Sequence, residues 1–169
     1  MAGTARIDVS AMGVERRVAR ALHASGLRWW ASDGWVLGYH RDGRVAGGDV
    51  DAGVWWRDLP AALAVLRPLG EVTLDTAHQA RLRIDGVSVD VHGAERDGET
   101  VSYRLGERPE LRYVFSARLF VRLTTITACG ISVPAPSPVE DYLTEHYGDW
   151  RTPTRDWAWD ASPPCLRRA

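Results

Sequence analysis

The chain contains no lysine and no asparagine, and it has only two cysteines. Without lysine it has no Schiff-base chemistry and no P-loop lysine. All 21 of its basic residues are arginine, so any phosphate-binding cation carries a planar fork of donors suited to bidentate contacts. Both missing residue types have A-rich codons, which points to a GC-rich coding sequence. Cys129 and Cys165 make a poor disulfide framework and lack zinc-ligand spacing. Long apolar runs are missing too: nothing approaches the roughly 20 residues that a membrane-spanning helix needs. The opening Met1–Arg6 is not followed by the apolar core of a signal peptide. The expected location is therefore the cytoplasm, with reduced thiols. Twenty-one basic against 22 acidic residues give a net charge of -1, which argues against a nucleic-acid partner or a membrane surface bound through bulk charge.

What is present fits one globular domain. The 169 residues are 45% hydrophobic and 25% charged, with eight tryptophans, enough to bury a full core without a metal or disulfide staple. The expected organisation is an N-terminal lead-in at 1–13, a single domain over 14–155 and a C-terminal tail at 156–169. Val14, Val18 and Leu22 form a helical stripe over 14–27, stopped near Ser25-Gly26. A short strand at 27–31 and a turn at Ser32-Asp33-Gly34 precede a helix over 35–41. Asp58 as N-cap and Pro60 in the first turn open a further helix to about Leu66. Strands are expected at 71–74, 78–84, 87–92, 101–104, 112–116, 119–126 and 131–133, with a hairpin at Asp85-Gly86. A Pro-rich turn with Ser137 as cap opens a helix over 139–147, which Gly148 ends.

The chemistry-bearing signal is a set of acids. A glycine-rich loop runs into a strand in which period-two alternation puts Asp49, Asp51 and Gly53 on one face and Val50, Ala52 and Val54 on the other. Asp90 lies in a second apolar strand, on the face of Ser88 and His92. If the two strands are neighbours, three carboxylates converge. Such crowding is costly unless a hard cation such as Mg²⁺ relieves it, and the arrangement suits phosphoryl or nucleotidyl transfer. Gly34 opens a helix whose N-terminus can approach a phosphate, and Arg41 and Arg44 lie between that turn and the acids, where either can clamp one. His92 shares the face of Asp90 and is a candidate behind the metal ligands. His40, His78 and His146 read as structural or exposed.

The run Gly34-Trp35-Val36-Leu37-Gly38-Tyr39-His40-Arg41, followed by Gly48-Asp49-Val50-Asp51-Ala52-Gly53-Val54, resembles the LicD family of bacterial phosphocholine transferases, to which the fukutin-related proteins are similar. Val89-Asp90-Val91 matches that family's later carboxylate. Tyr147-Gly148-Asp149-Trp150-Arg151-Thr152-Pro153 is similar to its C-terminal Tyr-Gly-x-Trp-x-x-Pro segment. Trp35 stands where the family has Ser or Thr, and Gly47-Gly48 shorten its acid run. The resemblance implies an α+β, nucleotidyltransferase-like fold, a mixed β-sheet flanked by helices. It implies that Asp49, Asp51 and Asp90 hold Mg²⁺ or Mn²⁺, with Asp90 as base. Gly34, Trp35, Gly38, Arg41, Arg44 and His92 would line the substrate. The implied reaction moves a phospho-alcohol from a CDP-activated donor to a sugar or other small-molecule hydroxyl. The alternatives are transfer of an NMP from an NTP to a small molecule or protein, and a nucleotide-binding module of the same fold without catalysis.

Overall fold

The computed structural model describes residues 9–44 and 48–168. Helix α1 spans Val9–Ser25, and its stripe of Val14, Val18, Ala19 and Leu22 is buried while Arg16, Arg17 and Arg20 face water. It starts earlier than the apolar stripe suggests, inside the expected lead-in. Strand β1 (Trp29–Ala31) leads through Ser32 into α2 (Asp33–Asp42), and β2 (Val50–Trp55) follows. Helix α3 (Leu59–Leu66) has Pro60 in its first turn, but the side chain of Asp58 makes no capping bond. Strands β3 (Glu71–Asp75), β4 (Gln79–Ile84), β5 (Val87–Asp97), β6 (Thr100–Leu105) and β7 (Arg108–Ser116) come next. The β8–β9 hairpin (Thr124–Ala128, Ile131–Ala135), α4 (Val139–Tyr147) and β10 (Leu166–Arg168) complete the order.

The main sheet runs β1-β2-β5-β6-β7-β10, with β4 also on β5 and β3 on β4. Strand β5 is long enough to carry two partners along one edge: β4 pairs with 87–92 and β6 takes over at 94–97. Its other edge receives β2, the one parallel pair among the described strands. The β4–β5 turn places Asp85 at φ 49 and Gly86 at φ 83, two successive left-handed residues as a tight hairpin requires. The core is strongly aromatic: Trp30, Trp35, Tyr103, Phe115, Phe120 and Tyr142 are all fully or nearly fully buried.

Three local expectations are corrected. Residues 119–126 do not form one strand: Ala117–Phe120 is a short 3₁₀ turn, and the strand begins at Thr124. The carbonyls of Phe120 and Val121 accept bonds from the Arg28 guanidinium at 2.7 and 2.9 Å, so they are not offered to a neighbouring strand. At the start of α4 the cap position is Pro138, and no side chain caps it. The polar segment after 155 adds a strand, with Leu166 opposite Tyr113 and Arg168 opposite Leu111, and it buries Cys165. No helix of the described residues is long and apolar enough to cross a membrane.

Candidate active site

Strand alternation and the β2–β5 register build the site. Asp51 stands opposite Asp90, and Gly53 opposite His92. Val50, Ala52, Val54, Val89 and Val91 point the other way and are fully buried, so the polar side chains rise together from one face of the sheet. Helix α2 delivers a further acid. The Ser32 N–H donates to the Asp51 carbonyl at 2.9 Å, which pins the start of α2 beside β2 and brings Asp33 to the cleft. Tyr142 and His146 sit one turn apart on α4 and both reach Asp33. The Tyr142 hydroxyl donates to Asp33 Oδ1 at 3.1 Å and accepts from the Asp33 N–H at 3.0 Å. His146 Nδ1 lies 3.1 Å from the same Oδ1. Asp33 Oδ2 faces the other way, 3.7 Å from His92 Nε2, which in turn is 4.0 Å from Asp51 Oδ1.

Among the described residues Asp33, Asp51 and His92 form a metal-capable group, with donor atoms all within 4.8 Å of one another. Their electrostatics diverge. Burial, then the charges of Asp33, Asp90 and Asp49, push the Asp51 carboxyl well above the usual carboxylate range, against an opposing backbone bond from Gly34. Burial also pushes Asp33 up, but the imidazoles of His146 and His92 and the Tyr142 hydroxyl together pull it below that range. Asp90 is engaged by side chains of its own: Gln79 Nε2 at 2.6 Å and Arg81 Nε at 2.9 Å on Oδ1, and Ser88 Oγ at 3.4 Å on Oδ2.

Asp33, Asp51, Gln79, Arg81, Asp90, His92 and His146 line a cleft of about 520 Å³. The same cleft is lined by aromatic side chains from β7, the end of α4 and the C-terminal segment, Tyr113, Tyr147, Trp157 and Trp159, which form its aromatic wall. Tyr147 stacks on His146 at 4.2 Å and meets Trp157 at 4.8 Å.

The structure brings Gly34, Arg41, Asp49, Asp51, Asp90 and His92 to this cleft. Asp49 is exposed. Arg41 lines the cleft with its guanidinium held by Asp42 and, at 3.0 Å, by the Trp150 carbonyl. The remaining three expected substrate residues lie elsewhere. Trp35 is fully buried against Trp29, with ring centroids 5.9 Å apart. Gly38 is buried in the body of α2, and Arg44 is exposed beyond its end. Asp33, Gln79 and Arg81 received no site role from the sequence, and His146, read there as structural or exposed, is buried beside Asp33. The i, i+4 spacing of Tyr142 and His146 is the one signal that marked a shared helix face.

No family model matches the sequence, and no curated protein matches it. Solved structures do. The lincomycin-bound crystal structure of the lincosamide antibiotic adenylyltransferase LnuA is similar with a TM-score of 0.57 at 15% identity, over 85% of this chain and 89% of that one. ANT(2″)-Ia in complex with adenylyl-2″-tobramycin gives a TM-score of 0.57 at 16% identity, over 89% of this chain and 82% of that one. The solution structure of ANT(2″)-Ia gives 0.58 at 18% identity, over 90% and 78%. With its mixed sheet flanked by helices, the chain shares the nucleotidyltransferase-like α+β fold of these solved structures.

Proposed function

We propose that the chain transfers a nucleoside monophosphate from a nucleoside triphosphate to a hydroxyl of a small molecule. The observation that carries this reading is the parallel pairing that sets Asp51 beside Asp90 in a cleft also lined by Asp33 and His92. The fold neighbours include a lincosamide antibiotic adenylyltransferase and a protein in complex with an adenylylated tobramycin, which favours NMP transfer over the phospho-alcohol transfer implied by the LicD-like motifs. Asp33, Asp51 and His92 fit a divalent cation: His92 is 5% exposed and its imidazole makes no hydrogen bond among the described residues, while two carboxylate oxygens face its Nε2. Such a cation, when bound, neutralises phosphate charge and polarises the reacting phosphorus. The protein's own part is orientation and proton transfer. Gln79 and Arg81 fix Asp90 through Oδ1 and leave Oδ2 with the long Ser88 contact, an oxygen available to take the acceptor hydroxyl's proton. Arg41 braces α2 against the C-terminal segment. The aromatic wall offers ring faces to the acceptor or the nucleobase.

Product analysis tests the reading. With NTPs, Mg²⁺ or Mn²⁺ and a panel of hydroxylated small molecules, the expected result is pyrophosphate release with an acceptor heavier by one NMP. Release of CMP from a CDP-linked alcohol, without pyrophosphate, would establish the phospho-alcohol reaction instead. A nucleotide-dependent thermal shift with no product in either assay would leave a binding module.

A further inference from the structure

We infer that Asp33, Asp51 and His92 form a carboxylate–imidazole site that selects a first-row transition-metal ion over Mg²⁺. Two independent features meet there. The first is the donor set, with all three ligating atoms within 4.8 Å of one another. The second is His92 itself. Its imidazole is 5% exposed, its buried Nδ1 has no partner, and its Nε2 is aimed between Asp33 Oδ2 at 3.7 Å and Asp51 Oδ1 at 4.0 Å. Neither distance is a hydrogen bond, so the ring is buried among carboxylates without a bond to either.

The surroundings prepare each donor for this role. Tyr142 and His146 both engage Asp33 Oδ1 and leave Oδ2 turned toward His92, as an outer shell orients a one-oxygen ligand. The flat face of His92 stacks on Tyr103, with ring centroids 5.8 Å apart and planes at 19°, which holds Nε2 in the plane of the cleft. Asp90, by contrast, has its Oδ1 occupied by Gln79 and Arg81 and sits outside this group of donors. Ions of this kind bond imidazole nitrogen and carboxylate oxygen at about 2.0–2.2 Å, so modest side-chain rotations must close the cage. The imidazole decides the preference. Mg²⁺ favours an all-oxygen octahedron and sheds water reluctantly. A nitrogen donor favours ions further along the series from Mn²⁺ through Co²⁺.

This choice of ion rests on the cleft being the reaction site proposed above, and its test reads binding rather than turnover. The metal-free chain is titrated with MgCl₂, MnCl₂ and CoCl₂, by calorimetry and by the visible absorption of Co²⁺. The expected order is Co²⁺ tighter than Mn²⁺ tighter than Mg²⁺, with Co²⁺ at least about tenfold above Mg²⁺. His92→Gln keeps the side chain's bulk and is checked for folding by circular dichroism. It should lose at least about tenfold in Co²⁺ affinity and change Mg²⁺ affinity far less. His78→Ala, which removes an imidazole outside the cluster, should change neither. Electron spin echo of the Mn²⁺-loaded wild type should show modulation from a directly bound imidazole nitrogen, which needs no variant to fold. Equal affinities for Mg²⁺ and Co²⁺, an unchanged Co²⁺ affinity in His92→Gln, or an echo without nitrogen modulation would overturn the inference. Should NMP transfer proceed while the echo lacks nitrogen, this inference falls alone. Should nitrogen appear with no transfer, the proposed function falls and the metal site stands.

Discussion

Gly53→Ala should destabilise the protein far more than one methyl group suggests. Gly53 lies in β2 opposite His92. A Cβ there would fall on the indole of Trp30, 2.9 Å from Cζ2 and closer still to Nε1 and Cε2. Ordinary carbon contacts stand at about 3.5–4.0 Å, so the ring must retreat by about an ångström. It has nowhere to go. Trp30 is fully buried, packed edge-on against Trp55 and Phe120 with centroids 5.3 Å away in each case, and its Nε1 donates to the Tyr103 hydroxyl at 3.0 Å. Overpacking of this kind costs about 1–3 kcal/mol, and losing the buried Trp30–Tyr103 bond adds about 0.5–1.5 kcal/mol. The total is about 1.5–4.5 kcal/mol, or roughly 3–18 °C in Tm for a chain of this size. Urea unfolding followed by tryptophan fluorescence measures it. Trp30→Leu, which removes all three clashing atoms, should make the double variant less unstable than the sum of the singles by more than about 1 kcal/mol. A Gly53→Ala protein within about 0.5 kcal/mol of wild type, or additive effects in the cycle, would refute the packing argument.

Two further outcomes follow from the buried carboxyls. Asp51→Asn should lower metal-dependent transfer by more than ~100-fold, beyond the usual loss from an outer-shell change, and should leave the metal-free protein as stable as wild type or more so. Replacing a desolvated acid crowded by Asp33, Asp90 and Asp49 with a neutral amide removes like-charge repulsion; full activity in this variant would sink the site. Glu15 is fully buried, and burial raises its carboxyl above the usual range against hydrogen bonds with Cys129 and Tyr39. A raised folded-state value means that its contribution to stability is complete below the unfolded carboxyl range and is lost as pH rises through the folded value. The stability difference between wild type and Glu15→Gln, measured by urea unfolding across the pH range, should therefore shift against wild type as pH rises from about 4. A pH-independent difference would contradict that sign.

The parts of the fold set by local periodicity were legible. Alternation put Asp49 and Asp51 opposite the apolar side chains of β2, Asp85-Gly86 marked the β4–β5 hairpin, and Gly148 ended α4. The contacts that converge on Asp33 were not. His146 is a lone histidine on a helix, and nothing local separates one facing solvent from one facing an acid over a hundred residues away. Its position follows from α4 docking on the start of α2, a tertiary event with no sequence period. The β10 strand was hidden for a related reason. Leu-Arg-Arg has no alternation of its own, and its pairing with β7 extends from the bond between the Val114 N–H and the Cys165 carbonyl. The 119–126 run misled because its apolar residues suit a strand, while Arg28, far away in the chain, claims the carbonyls of Phe120 and Val121.

The near-zero net charge conceals a local imbalance. Asp33, Asp49, Asp51, Asp90, Glu107 and Asp149 all line the cleft, against Arg41 and Arg81. Both cations are already engaged, Arg41 by Asp42 and Arg81 by Asp90 and Glu107. A triphosphate entering such a cleft meets carboxylates and aromatic rings, with no lysine anywhere in the chain to offset the acids. On the nucleotidyl-transfer reading, the cation contributes to donor affinity as well as to the reaction, because it cancels the charge that would keep the donor out. Both arginines of the cleft then serve architecture first. Arg41 ties α2 to the C-terminal segment, and Arg81 orients Asp90, a carboxylate outside the metal-capable group.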